Sequence, residues 1–458
     1  MQQEGETARE AWSSRLVFIM AAVGAAVGLG NLWKFPYTAG VSGGAAFVIV
    51  YVIAVAAVAV PIVIAELLIG RRGRRSPPNS FLALARAAGA HPGWQLVGWV
   101  NLLAVFLILS FYSVVAGWAL AYIPKLAAGH FTDANAADVA AEFDALLASP
   151  LVLAGWHALF MALTTGIVSM GLRGGIEQAV RFLMPALFVM LVLLVGYAAI
   201  AGDLPRALDF LFQADFSKIS APVVLQAIGQ AFFSVSVAMG LLITYGAYLD
   251  REVSLARSAA YIAGADTLVA LLAGLAIFPL VFANNLDPAE GPGLIFVTLP
   301  IAFGHMPGGA YFGTLFFLLV LVAALTSSIA ILAPMVAWAE ERRKLGRTAA
   351  AVVVGVAAWL AGLATVLSFN VWSDFHPLSH VERFASATIF DLIDYLTSNV
   401  LLPVGGVLIA IFVGWVLPGS TTRDELGLPD GLAFRVWHLL MRYVAPLAVG
   451  WVLVANLI

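Results

Sequence analysis

The sequence predicts an all-α membrane protein with about eleven membrane-spanning helices. Hydrophobic residues make up 62% of its 458 residues and charged residues only 11%, whereas soluble domains have roughly 45–50% apolar residues. Mean hydropathy is +0.98. A helix needs roughly 20 apolar residues to cross a bilayer, and this length divides the chain into candidate spans. The candidate spans are 16–38, 45–69, 96–123, 151–171, 179–201, 222–248, 258–283, 311–338, 348–369, 388–416 and 433–457.

The loops between the spans alternate in charge. Basic segments follow the second, fourth, sixth and eighth spans, namely GRRGRR (70–75), GLRGG (171–175), DREVSLAR (250–257) and EERRKLGR (340–347). The other loops are acidic or neutral, with Asp133, Asp138, Glu142, Asp144, Asp287 and Glu290. Because arginine and lysine stay on the cytoplasmic side, we expect a multi-pass protein of the inner (plasma) membrane with its N-terminus inside. An odd number of spans then places the C-terminus outside.

The first span is interrupted in its middle by the stretch GAAVGLGNLWKFP (24–36). Gly24 and Gly28 alone fit close helix packing, because small residues four apart let helices approach. Packing does not explain Asn31 and Lys34 at membrane depth. Non-helical backbone is tolerated there only where it lines a cavity or lies inside protein. A break frees carbonyls for a cation and turns the amides of the second half-helix toward an anion.

Three further spans carry polar residues. In the sixth span, GQAFFSVSVAMG (229–240) places Ser234 and Ser236 mid-helix; the seventh span contains Asp266, and the eighth contains Thr326 and Ser327. The alternatives are a carboxylate near a helix N-terminus for Asp266 and hydroxyls bonded to their own helix for the eighth span. Charged and polar groups in lipid are costly, which makes these positions candidate functional sites.

Interruptions in spans one and six predict two five-helix repeats of opposite orientation. Corresponding broken segments in two halves of a chain are a pointer to a transporter binding site. The predicted organisation is a cytoplasmic segment (1–15), a first repeat (16–201), a second repeat (202–416) and a final loop with the eleventh span (417–458).

Other classes of function have little support in the sequence. The chain contains no cysteine, which excludes disulfides and thiol chemistry. No nucleophile–base or metal constellation indicates an enzyme. The charge pattern does not predict nucleic-acid binding, and the oligomeric state stays open.

At the interrupted spans the chain resembles bacterial members of the neurotransmitter:sodium symporter family, which have the leucine transporter fold. The resemblance runs from REAWSSR (9–15) to the end of the tenth span. The motifs that carry it are GLGNLWKFP, GQAFF, TYGAY (244–248), DTLVALLAGLAIFP and LTSSIAI. Many members have twelve helices, whereas eleven are predicted here.

The resemblance implies two sodium sites. The first would use the Ala26 carbonyl, Asn31, Ser234, Asp266 and the substrate carboxylate. The second would use the carbonyls of Gly24, Val27 and Ala323 with the hydroxyls of Thr326 and Ser327. The substrate site that the resemblance implies comprises Ala26, Val27, Gly28, Gly30, Ile108, Tyr112, Phe233, Ser234, Ser236, Ala238, Met239, Ser327 and Ile331.

The resemblance also indicates the substrate class. Amine-carrying members have an aspartate where this chain has Gly28, and glycine leaves room for a substrate's own carboxylate. We therefore expect a small-molecule substrate, a hydrophobic amino acid, imported with sodium by alternating access. An aromatic amine or other substrate is one alternative, and a transport-dead amino-acid sensor is another.

Gates are implied on both sides. Outside, Lys34 and Asp394 would close over the substrate beneath the aromatic lid Phe233; Lys34 replaces the arginine that is more common in the family. Inside, Arg9 and Glu341 would form a latch, with Trp12 and Tyr248 packed nearby. Gly175 and Pro185 have the spacing that lets the inner end of the fifth span unwind, although a simple proline kink is equally compatible.

Chloride-dependent relatives have an asparagine and, four residues later, a serine where this chain has Asp266 and Ala270. Because these positions share a helix face, the carboxylate can replace the charge of the anion. We therefore expect chloride-independent transport and expect Asp266 to take up a proton once sodium leaves.

Overall fold

The computed structural model describes residues 11–213, 215–287, 293–343, 345–427 and 431–457, and these ranges are helical with no β-strand. Nine helices in them are long and apolar enough to cross a membrane. In chain order, and leaving the numbers 1 and 6 for two broken spans, they are α2 (Ala45–Gly73), α3 (Pro92–Ala127), α4 (Pro150–Ser169), α5 (Leu172–Ala201), α7 (Leu255–Ala283), α8 (Gly309–Arg342), α9 (Arg347–Ser368), α10 (Ile389–Val416) and α11 (Leu432–Leu457).

The first span is broken as the sequence predicts. Its halves, α1a (Arg15–Ala26) and α1b (Gly30–Val41), meet at an angle of 52°. Ser14 caps α1a by accepting a hydrogen bond from the amide of Val17. The three residues between the halves are buried, so the free backbone groups lie inside the protein rather than in lipid.

The sixth span is also broken. Its halves are α6a (Ala221–Ser234) and α6b (Leu241–Gly246). Between them Ser236, Ala238 and Gly240 have φ angles of 57°, 64° and 72°. Left-handed backbone at two non-glycine residues cannot continue a right-handed helix, so the chain unwinds there. With both broken spans counted, the described residues are consistent with the predicted eleven helices.

The broken helices lie at the centre of a bundle that is made of two inverted five-helix repeats. α1a packs against α5, α7 and α8, and α3 packs along α8. In contrast, α4, α5, α9 and α11 keep most of their apolar residues at the surface of the protein. Such exposure suits contact with lipid. The interrupted helices are therefore shielded from lipid, where irregular backbone can serve a site.

Five short helices lie in the loops, and the hydropathy pattern did not predict them. They are Pro77–Ala87, Ala136–Leu147, Leu204–Phe212, Leu294–His305 and Gly419–Leu426. Ala136–Leu147 is tied to α3 by the pair of Lys125 Nζ and Glu142 Oε1 at 2.6 Å. This hydrogen bond from Lys125 holds the pKa of Glu142 below its ordinary value.

Candidate functional site

The break in α1 exposes two backbone amides. The amide of Gly28 donates to Asn31 Oδ1 at 3.1 Å, and the amide of Leu29 points at the hydroxyl oxygen of Tyr112 at 3.4 Å. Both groups are at the N-terminal end of α1b, which carries the positive end of the helix dipole. This point is therefore suited to an anionic group, with the hydroxyl of Tyr112 as a further donor.

Asp266 lies at the centre of a buried polar cluster. Its Oδ1 accepts from Asn31 Nδ2 at 2.7 Å, and its Oδ2 accepts from Ser234 Oγ at 2.7 Å. Asn31 Nδ2 also lies 3.0 Å from Ser234 Oγ. Asn31 and Asp266 are fully buried. The structure thus brings together three side chains from α1b, α6a and α7 that the sequence predicts as ligands of the first sodium ion. One carboxylate with neutral oxygens is a ligand set for a hard cation.

The predicted ligands of the second sodium ion lie on the facing surfaces of α1a and α8. Thr326 Oγ1 donates within its own helix, to Val322 O at 3.1 Å and Ala323 O at 3.0 Å. Ser327 Oγ instead crosses to α1a and donates to Ala25 O at 3.0 Å.

Gly24 lies where α1a comes close to α8. A Cβ atom at Gly24 would fall 3.2 Å from Thr326 Cβ and 2.8 Å from Met184 Sδ. The small residue brings the carbonyls at the end of α1a to the hydroxyls of α8. Thr326 Oγ1 is thus next to the carbonyl of Ala323, and Ser327 Oγ lies 3.4 Å from the carbonyl of Val27.

Gly28 leaves the space that the predicted substrate site needs. A Cβ atom there would fall 2.6 Å from Ser327 Oγ and 2.9 Å from the hydroxyl oxygen of Tyr112. Tyr112, Gly30 and Phe233 line a cavity of about 200 Å³ that leads outward from this point. Among the apolar residues predicted for the substrate site, Phe233 is partly buried, and Val27, Ile108, Ala238, Met239 and Ile331 are buried.

The two residues predicted to form the outer gate line one cavity without a close ion pair. Lys34 and Asp394 both line the outward cavity, but no ion pair within 4 Å joins these two described residues. The ammonium of Lys34 instead lies 4.1 Å above the ring of Phe233. Asp394 Oδ1 accepts from Ser398 Oγ at 3.0 Å. The outer side therefore has both predicted gate residues in place, with a cavity between them.

The N-terminal segment packs against α5 and α6b at the end of the bundle that the sequence predicts to face the cytoplasm. Trp12 is buried and donates its indole N–H to the carbonyl of Tyr245 at 3.0 Å. The amide of Ser13 donates to Glu177 Oε1 at 2.8 Å on α5. Trp12 packs edge-on against the ring of Tyr245, which lies three residues before the predicted Tyr248.

Glu341 of the predicted inner latch binds residues after α2. Its Oε1 accepts from the amide of Ser76 at 2.8 Å, and its Oε2 accepts from Asn79 Nδ2 at 2.6 Å. Its predicted partner Arg9 lies outside the described residues. α5 is wound from Leu172 onward, earlier than the predicted start at 179, so Gly175 and Pro185 both lie within one continuous helix. Unwinding at Gly175 stays a prediction.

Four polar residues at the site were missed by sequence reasoning. Tyr51 donates to Ser234 Oγ at 3.2 Å, and Gln230 Nε2 donates to Gly30 O at 3.0 Å. Glu66 Oε1 accepts from the amide of Gly240 at 3.3 Å, and Asn101 Nδ2 donates to Ala238 O at 2.5 Å. These last two contacts hold the unwound segment of α6. A lone carboxylate in the second span was a signal that could have identified Glu66.

This architecture defines a membrane transporter with its site at two broken helices, and comparison with known proteins gives the family. The sodium:neurotransmitter symporter family model matches residues 9–133 and 152–458. An uncharacterised sodium-dependent transporter of Bacillus subtilis, YhdH, is 36% identical over 96% of this chain and 95% of its own. One from Haemophilus influenzae is 33% identical over 98% of both chains. The crystal structure of MhsT in complex with L-phenylalanine matches with a TM-score of 0.89 and 41% identity, covering 98% of this chain and 100% of that one.

The chain therefore belongs to the sodium:neurotransmitter symporter family. It is a sodium-dependent symporter, not an enzyme. The predicted family and fold class are confirmed.

Proposed function

We propose that the protein imports a hydrophobic amino acid with sodium by alternating access. The observation that supports this proposal is that two hydrogen-bond donors lie next to each other at Gly28. The amide of Leu29 and the hydroxyl of Tyr112 meet there, where any side chain at position 28 would collide with Tyr112 and Ser327. A substrate carboxylate matches this pair of donors. The similar protein MhsT has been crystallised with L-phenylalanine, which supports the same substrate class.

Two sodium ions accompany the substrate in this proposal. The first is held by Asp266, Asn31, Ser234 and the carbonyl of Ala26, together with the substrate carboxylate. This sodium ion then links the substrate to α6a and α7. The substrate therefore binds weakly without sodium, and sodium binds weakly without the substrate. The second lies between α1a and α8, held by Thr326, Ser327 and the carbonyls of Gly24, Val27 and Ala323. Filling it holds α1a against α8 and keeps the inner side closed.

Transport is proposed to be independent of chloride. Asp266 places one negative charge beside the first sodium site, and its side chain is fully buried. Ala270, one turn further along α7, has no hydroxyl to offer an anion. Burying a chloride ion against this carboxylate would bring two like charges together, which is unfavourable in a medium of low dielectric constant.

In the proposed cycle, this arrangement corresponds to a stage that is open on the outer side and closed on the inner side. Its outer cavity leads to Tyr112, whereas Trp12 and Ser13 seal the inner side. Closure would bring Lys34 to Asp394 over the bound substrate. Opening inside requires the N-terminal segment to leave α5. In this proposal the N-terminus lies in the cytoplasm and the C-terminus outside, in the plasma membrane.

A ligand screen tests the substrate class. Thermal unfolding of the purified protein is measured with each of the twenty amino acids and with aromatic amines, in sodium and in potassium. We expect stabilisation by hydrophobic amino acids in sodium only, because binding the native state alone raises stability by mass action. Stabilisation by amines and not by amino acids would favour the alternative substrate class. Equal stabilisation in potassium would contradict sodium coupling.

A further inference from the structure

Two side chains of α4 form hydrogen bonds with the helices that carry the candidate site. His157 Nε2 lies 2.9 Å from Ser113 Oγ on α3, and Thr164 Oγ1 lies 2.8 Å from Ser328 Oγ on α8. All four residues are fully buried. His157 and Thr164 are about two helical turns apart, so they lie on the same face of α4. One face of α4 therefore links α3 and α8.

The direction of both hydrogen bonds follows from the two serines. Ser113 Oγ donates to the carbonyl of Leu109 at 2.6 Å, and Ser328 Oγ donates to the carbonyl of Leu325 at 3.0 Å. Because a hydroxyl group has one proton to donate, each serine can only accept from α4. The imidazole Nε2 and the threonine hydroxyl of α4 are therefore the donors, and each serine is held between its own helix and α4.

Each of these serines directly follows a residue of the candidate site. On α3, Ser113 follows Tyr112. On α8, Ser328 follows Ser327. A Cβ atom on Gly28 would fall 2.9 Å from the hydroxyl oxygen of Tyr112 and 2.6 Å from Ser327 Oγ. The side chains of α4 thus hold α3 and α8 next to the two residues that meet at the broken first span.

Close packing restricts the imidazole of His157. A Cβ atom at Gly117, one turn after Ser113, would fall 3.1 Å from the amide nitrogen of His157. On the other side, a Cβ atom at Gly362 of α9 would collide with His157 Cε1 and with the carbonyl oxygen of Ser110. The imidazole is therefore enclosed between α3 and α9, and it has little room to follow a movement of α3.

A hydrogen bond at Ser113 affects Tyr112 because both residues belong to one helix. Successive side chains of a helix point in directions about 100° apart, so one of them can bond to α4 while the other faces the site. Holding Ser113 fixes the rotation of α3 about its axis, and a rotation displaces the tip of a long side chain most. A hydroxyl that moves by about 1 Å leaves hydrogen-bond distance. The position of the tyrosine hydroxyl therefore depends on the imidazole of α4.

We propose that α4 positions the residues that bind the substrate and the second sodium ion. His157 sets the direction of Tyr112 by holding the serine that follows it. Thr164 sets the position of Ser327 in the same way. Both side chains of α4 act through another residue, so they are positioning residues. This inference rests on the proposed function, in which the tyrosine hydroxyl donates to the substrate carboxylate and Ser327 is a sodium ligand.

A double-mutant cycle tests the effect of His157 on Tyr112. Equilibrium binding of radiolabelled L-phenylalanine, or of the amino acid that gives the largest shift in the thermal screen, is measured in saturating sodium for His157→Leu, Tyr112→Phe and the double variant. We expect His157→Leu to weaken binding by about five-fold, within the range of one neutral hydrogen bond. In the Tyr112→Phe background the same change should matter by less than about two-fold, because coupled residues are not additive. His157→Gln should restore binding, since its amide nitrogen can donate in place of Nε2.

The effect of Thr164 on Ser327 is measured without any substrate. Thermal unfolding is followed over a range of sodium concentrations for Thr164→Val and Thr164→Ser. We expect Thr164→Val to need about five-fold more sodium for the stabilisation that the second site provides. Thr164→Ser keeps the donor and should keep the sodium dependence of the unsubstituted protein. Because no amino acid is added, an error in the proposed substrate class would leave this measurement unaffected.

Thr365→Val is the matched control. Thr365 is fully buried on α9, and its Oγ1 has no hydrogen-bond partner among the described residues, so the change should alter neither substrate binding nor sodium dependence. A loss of the same size in this control would overturn the proposal.

The two positioning roles can be refuted separately. Additive losses in His157→Leu and Tyr112→Phe would overturn the role of His157, and unchanged sodium dependence in Thr164→Val would overturn that of Thr164. If His157→Leu does not fold, His157→Gln in the same cycle and the Thr164 variants decide the proposal, because these changes keep a similar volume.

Discussion

Replacing Gly28 with alanine should abolish most substrate binding without unfolding the protein. The added Cβ would fall 2.6 Å from Ser327 Oγ and 2.9 Å from the hydroxyl oxygen of Tyr112. Both distances are shorter than an ordinary contact with carbon, so both side chains must turn away. Ser327 then loses its 3.0 Å hydrogen bond to Ala25 O, and Tyr112 leaves the amide of Leu29.

The magnitude follows from the bond that the substrate loses. A hydrogen bond to a charged group contributes roughly 1.5–3 kcal/mol. Losing the hydroxyl of Tyr112 from a carboxylate therefore weakens binding by roughly 10- to 100-fold, since 1.4 kcal/mol is a factor of ten. The assay is equilibrium binding of radiolabelled L-phenylalanine in saturating sodium, or of the amino acid that gives the largest shift in the thermal screen.

Gly196→Ala is the matched control. Gly196 lies in α5, and a Cβ atom added there would have no neighbouring heavy atom within 4 Å, so alanine should leave binding unchanged. Affinity of Gly28→Ala within about two-fold of the unsubstituted protein would refute the proposed position of the carboxylate.

Three further predictions concern the ions and the outer gate. Thr326→Val combined with Ser327→Ala removes two oxygen ligands of the second site at similar volume, so stabilisation by sodium in thermal unfolding should decrease to what the first site provides; unchanged sodium dependence would refute the second site. Asp394→Asn should slow uptake in proteoliposomes more than it weakens equilibrium binding, because the pair with Lys34 forms only on closure; equal losses would make Asp394 a binding residue. Uptake should be equal in chloride and gluconate and should be stimulated by an acidic interior, and Asp266→Asn should lose that stimulation; full activity only in chloride would contradict the role of Asp266.

The broken helices can be predicted from the sequence because the residues that interrupt each helix lie within the interrupted stretch itself. Glycines and polar residues inside an apolar span mark residues 24–36 directly, and Ser236 and Ala238 lie in the second such stretch. The side chains that stabilise the unwound segment of α6 come from distant parts of the sequence. Glu66 reaches Gly240 and Asn101 reaches Ala238 across the bundle, and hydropathy along one helix does not contain that pairing.

The short loop helices were missed for a related reason. Helices such as Pro77–Ala87 are too short and too polar for a search that looks for membrane spans.

The most direct test of the central claim is concentrative uptake. The purified protein is reconstituted into liposomes, and accumulation of radiolabelled L-phenylalanine, or of the best ligand in the thermal screen, is followed under an inward sodium gradient. The account predicts accumulation above the external concentration, which collapses when sodium is equal on both sides. Sodium-dependent binding without accumulation, in vesicles that contain folded protein, would contradict symport and favour a sensor.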